Sequence, residues 1–124
     1  MLTIRREQLA ALGQAMRRQF VAQEAQRLAA GGDAARLQGW VDQQVTQARS
    51  LGIRGASDVR RYLDLQQGLS ASAASVELLQ QVQALLADRR APAFLRLAEA
   101  ERAARRARTA ASASVPAALA QAPR

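Results

Sequence analysis

Cysteine, histidine and lysine are all missing from this 124-residue chain. Without the first two there is no zinc finger, no disulfide framework, no thiol nucleophile and no imidazole base. Without lysine there is no Schiff base and no Walker lysine. Aromatic residues number four, Phe20, Trp40, Tyr62 and Phe94, and prolines three. No run of about 18 apolar residues occurs, so no membrane span is expected. Arg5 and Arg6 are not followed by an apolar core, because Glu7, Gln8 and Gln14 interrupt it. No cleavable signal peptide is expected, and the cytoplasm is the default compartment. Alternating apolar runs are absent, which excludes strands as the main element.

What the chain has is alanine (30), arginine (18) and glutamine (15). Eighteen arginines against ten acids give a net charge of +8. Leu, Ile, Val and Phe together make 27 residues, just above the roughly 20% below which charged chains stay disordered. A core is possible but thin. The positive sign favours nucleic acid, anionic lipid or an acidic protein surface as partner. Its distribution argues against a solid basic block. Residues 1–98 carry 13 Arg and 8 acids, residues 99–124 carry 5 and 2, and the Arg pairs are scattered. Arginine chosen over lysine, beside so much alanine, also fits codon bias in a GC-rich bacterial genome.

Spacing predicts five helices. Leu9, Leu12, Met16 and Phe20 mark the apolar stripe of a first helix, capped by Thr3 and stopped by Gly31-Gly32. Its second half, from Val21 to Ala30, has few large apolar residues and is expected to fray or bend. Asp33 caps a second helix with Leu37, Trp40, Val41, Val45, Ala48 and Leu51 on one face; Gly52 closes it and Ile53 covers its end. Ser57 caps a third helix, with Val59, Tyr62, Leu63 and Leu69 as its apolar positions and Asp58 where the helix dipole favours an acid. Ser75 caps a fourth, with Leu78, Leu79, Val82, Leu85 and Leu86 facing inward. Pro92 can open a fifth, anchored by Phe94, Leu95 and Leu97. Residues 99–108 read as a solvated, Arg-rich helix end, and 110–124 as disordered. The expected fold is all-α, a small bundle of four to five helices over 1–98, followed by a 99–124 helix end and tail.

The ten acids show no spacing that compels a shared catalytic site. Asp58 and Asp64, six apart on one helix, do not share a face, and the serines cluster in loops without a base. The chain reads as a non-enzyme with no cofactor and no metal. The stretch from Ala48 through Gly52 to Tyr62 has the outline of a helix-turn-helix, but the core position six after the glycine is Asp58, and Val59 comes one residue late, a rotation of about 100°. Arg54, Arg60 and Arg61 are candidate phosphate contacts and Tyr62 a candidate stacking residue, against the plainer reading of two core helices and a turn. Trp40 and Tyr62 read chiefly as packing residues, and otherwise as anchors for a partner. Arg102, Arg105, Arg106 and Arg108 read as a solvated helix end or as a surface for nucleic acid or an acidic groove. The Phe94 face is either part of the body or ordered by a partner.

Two stretches taken together resemble a known group. Leu2-Thr3-Ile4-Arg5 with Gln8-Leu9 and Phe20, and then Ala48-Arg49-Ser50-Leu51-Gly52-Ile53, Asp58-Val59 and Tyr62-Leu63-Asp64-Leu65, resemble small helical accessory proteins encoded beside type VI secretion effector, PAAR or VgrG spike and adaptor genes. The resemblance covers residues 2–69. At its end Gly68 remains, but after it Ser-Ala repeats replace the group's Phe, acidic residues and Trp. The resemblance implies a non-catalytic, chaperone-like accessory factor that binds an effector or its adaptor. An immunity protein that neutralises a cognate toxin and a basic helix-turn-helix-like nucleic-acid-binding protein are the alternatives. The candidate partner-binding residues are Arg54, Arg60, Arg61, Tyr62, Phe94, Arg102, Arg105 and Arg106.

Overall fold

Alanine-rich sequence with apolar residues at three- and four-residue steps forms helix and little else. The computed structural model describes the backbone of residues 6–120 and the side chains at 8 and over 10–110. Five α-helices follow in order: α1 (Arg6–Ala29), α2 (Ala34–Ser50), α3 (Ala56–Ala71), α4 (Val76–Ala87) and α5 (Ala93–Ala120). The described residues contain no strand. The chain is therefore all-α, as its composition implies. It divides into two compact units, Met1–Gln47 and Ala48–Arg124, with the division inside α2. Residues 48–98 and the 99–120 helix end thus share one unit. The Leu2–Arg5 opening, the Thr3 cap and residues 121–124 lie outside the described residues, as do the side chains of the 111–120 part of the tail expected to be disordered.

In the first unit α1 buries a different face from the one its large residues suggest. Val21, Ala25 and Glu24 are buried, whereas Leu12 and Met16 are 56% and 61% exposed. At 100° per residue, the Val21–Ala25 face stands roughly 150° around the helix from Leu12 and Met16. The expectation of a Leu9–Phe20 core stripe is corrected for Leu12 and Met16; Phe20 is half-buried, and the Leu9 side chain is not among those described. A helix face is buried only where another element reaches it, and apolar character alone does not bring one. Arg17 lies on the Val21 side and fastens α1 to α2. Its Nη2 donates to Asp42 Oδ1 at 3.1 Å and to Thr46 Oγ1 at 2.6 Å. Asp33 caps α2 as expected, accepting from the Ala35 N–H at 3.1 Å. Val41, Val45 and Ala48 are buried, with Leu37 and Trp40 half-buried on the same face.

The second unit begins with the end of α2. Gly52 takes φ +80°, its N–H donates to Arg49 O, and the Ile53 N–H donates to Ala48 O at 2.9 Å. This is the paired closing bond of a glycine helix stop, and Ile53 is fully buried over it. α3 starts two residues earlier than expected: Gly55, not Ser57, is its N-cap, with no side-chain bond. Asp58 in the first turn still faces the helix dipole. α3 buries Val59, Tyr62, Leu63, Leu65 and Leu69. It continues to Ala71, and Ala73 at φ +50° closes it without a glycine. Ser75 caps α4, its Oγ accepting from the Leu78 N–H.

α4 buries Val82 and Leu86, while Leu79 is exposed rather than inward. α5 packs against both α4 and α3. Its buried stripe is Arg96, Leu97, Ala100, Ala103 and Ala104. Of the three expected anchors only Leu97 is buried; Phe94 and Leu95 are exposed. Burial continues through Ala104 because alanines let the helix backbones approach closely, so 99–104 is packed helix rather than a solvated end. Each fully buried Leu contributes about 1.5–3 kcal/mol. Arg96, only 7% exposed, joins three segments: its Nη1 donates to Leu51 O and Leu86 O at 2.7 and 2.6 Å, and its Nε to Ala91 O at 3.0 Å. Arg89 donates beside it to Ser50 O. The last carbonyls of α2 are thus satisfied by two arginines from around the α4–α5 connection.

Candidate binding cleft

Small residues on α3 and α5 leave room where larger ones would fill it. A cleft of about 300 Å³ opens in the second unit between α3, α4 and α5. From α3 come Asp64, Leu65, Gly68 and Leu69, followed by Ser72; from α4 comes Leu78; from α5 come Glu101, Ala104, Arg105 and Arg108. A Cβ added at Gly68 would meet nothing within 4 Å. The floor is apolar, through Leu65, Leu69 and Leu78, and the rim is charged.

The rim charges are not equivalent. Glu101 Oε1 stands 2.6 Å from Arg61 Nη2, and Arg61 also lies 3.8 Å from Asp58. This clasp between α3 and α5 is about one-third exposed on each side, so it is worth no more than about 1 kcal/mol. The hydrogen bond to Glu101 holds the Arg61 guanidinium more firmly protonated. Arg105 and Arg108, three apart on one helix face, are exposed and have no carboxylate partner among the described residues. Glu101 is therefore already neutralised, and the two arginines share the lining of the cleft with Asp64 of α3.

The candidate residues read from the sequence separate accordingly. Arg105 lines the cleft, beside Arg108. Arg61 is committed to Glu101, and Arg102 lies 3.0 Å from Glu99. Arg54, Arg60 and Arg106 are exposed outside the cleft, as is Phe94. Tyr62 is only 1% exposed, so it packs in the core and cannot stack on a base or anchor a partner. Burial pushes its phenol pKa up. The α2–α3 connection, residues 51–55, is longer than the three to four residues of a helix-turn-helix. Asp58, at the position where that motif needs an apolar residue, is paired with Arg61. The cleft acids Asp64 and Glu101 are not among the residues the sequence offers as a site, and Arg108 enters there only as part of the Arg-rich stretch with Arg102, Arg105 and Arg106. On α5 the signal is the three- and four-residue spacing of Glu101, Ala104, Arg105 and Arg108.

Among the described residues no three of His, Cys, Asp and Glu gather to hold a metal ion, and no helix is long and apolar enough to cross a membrane. No protein-family model, no curated protein and no solved structure matches the chain.

Proposed function

We infer that the chain is a non-catalytic protein-binding accessory factor, chaperone-like, that engages an effector or effector adaptor of a type VI secretion module. The observation that carries the binding reading is the α3–α5 cleft, an apolar floor edged by two arginines that pair with no acid of the described chain. Apolar space beside a few directed polar groups is the usual build of a binding site, and planar guanidinium forks suit carboxylate-bearing protein surfaces. Burial of Tyr62 and the pairing of Arg61 and Arg102 remove three of the groups on which a nucleic-acid reading rested. The choice of a secretion effector as partner rests on the sequence resemblance over residues 2–69.

The test is affinity purification of the tagged full chain from its native cells at moderate salt, with nuclease treatment, followed by mass spectrometry. A stoichiometric effector, adaptor or spike protein that survives nuclease is expected. A partner that is a toxin, and that the chain neutralises genetically, would replace the loading role with an immunity role. Loss of every partner on nuclease treatment would overturn the reading in favour of nucleic acid.

A further inference from the structure

We propose that the cleft recognises a short segment of the protein partner in which a large apolar side chain stands next to Asp or Glu; this assignment rests on the protein-binding reading above. Three observations lead to it. The space is at the small end of ligand pockets, room for one or two side chains rather than a cofactor. Its floor, Leu65, Leu69 and Leu78, offers apolar contact but no ring of directed donors. Its free charge is cationic, because Arg61 at 2.6 Å already answers Glu101, leaving Arg105 and Arg108 facing out from one side of α5. An apolar side chain entering beside Gly68 places its neighbouring carboxylate within the sweep of these two guanidinium groups. The net charge of +8 favours the approach of such an acidic segment.

The experiment selects a phage-displayed random dodecapeptide library on the full chain and measures the enriched peptide, in synthetic form, by fluorescence anisotropy. Enriched sequences are expected to carry a large apolar residue adjacent to Asp or Glu. Replacing both Arg105 and Arg108 by Gln is expected to weaken binding about tenfold, within the range for two exposed ion pairs. Exchanging the peptide's acid for its amide should cost the same factor in the native chain and nothing further in the double variant. Gly68→Leu, which projects into the open space, is expected to abolish binding. Enriched peptides without acids, or equal binding by the native chain and the Arg105→Gln/Arg108→Gln variant, would overturn the proposal. So would a dimer of the chain, seen by light scattering, that Gly68→Leu dissociates. A cellular partner that binds the Gly68→Leu chain as tightly as the native one overturns the cleft assignment alone. Failure to recover any cellular protein, with the peptide selection succeeding, overturns the accessory role alone.

Discussion

Replacing Arg96 by Met tests the internal logic of the second unit. Arg96 is 7% exposed and gives its protons to three backbone carbonyls, Leu51 O, Leu86 O and Ala91 O. Burying a guanidinium costs several kcal/mol, and replacing a whole buried ion pair by apolar residues is often neutral or stabilising. Here the substitution removes only the donor. The carbonyls belong to the backbone and stay behind. Leu51 and Ala91 are half-buried, so water can reach their oxygens and each costs only a fraction of a hydrogen bond. The bond to Leu86 O is buried, and that oxygen bears the full penalty of about 1–3 kcal/mol for a lost partner. Together the three come to a destabilisation of about 2–4 kcal/mol for Arg96→Met, a large share of the roughly 5–15 kcal/mol that holds a domain folded. Urea unfolding followed by circular dichroism should show a lower midpoint at unchanged slope. Arg96→Lys, a point charge that cannot span the same fork, should fall between the two. Arg36→Met, at an exposed side chain, should move stability by less than about 0.5 kcal/mol. A midpoint for Arg96→Met equal to or above that of the native chain would refute the reasoning.

Three further outcomes follow from the backbone and the charges. Ala73 holds φ +50° at the end of α3, a conformation that costs a non-glycine residue about 1 kcal/mol or more; Ala73→Gly should raise the melting temperature, and a lower one would show that the left-handed turn is not the native one. Gly39 sits inside α2 with open space where a Cβ would go, so Gly39→Ala should stabilise by about 1 kcal/mol, and a loss in chemical denaturation would contradict this. The Asp88 carboxyl is held down to about 2, first by the hydrogen bond from the Arg90 side chain. A depressed carboxylate stabilises the fold above its unfolded pKa of about 3.9 and loses that contribution as pH falls toward the folded value. Carbon-detected NMR titration should find Asp88 ionised at pH 3 and returned to the ordinary range in Arg90→Gln; an unshifted titration in the native chain would remove the Asp88–Arg90 pair from solution.

Local signals were legible in the sequence and long-range ones were not. The Gly52-Ile53 stop, the Asp33 and Ser75 caps and the α2 face depend on residues within one or two turns, and the structure bears them out. The α1 face was misread because large apolar residues occupy one side of a 24-residue helix while the buried side carries Val21, Glu24 and Ala25. Arg96 reads as one more surface charge in α5, since its partners Leu51 O and Leu86 O lie 45 and 10 residues away and are backbone atoms of no distinctive type. The cleft is built by what is small, Gly68 and Ala104, and a small residue does not show in the sequence whether a neighbouring helix fills the space beside it. The shared face of Arg105 and Arg108 follows from their spacing of three on one helix, but the neutralisation of Glu101 by Arg61 is 40 residues distant in sequence and needs α3 and α5 side by side.

The most direct test of the binding account places a photo-crosslinking amino acid at position 108, on the cleft rim, and as a control at position 83, an exposed site on α4 outside the cleft. After irradiation of native cells and nuclease treatment, position 108 should yield one predominant adduct with an effector, adaptor or spike protein, and position 83 none. The same adduct from both positions, a nuclease-sensitive adduct, or no adduct from position 108 would contradict the claim that this cleft is where the chain holds a protein partner.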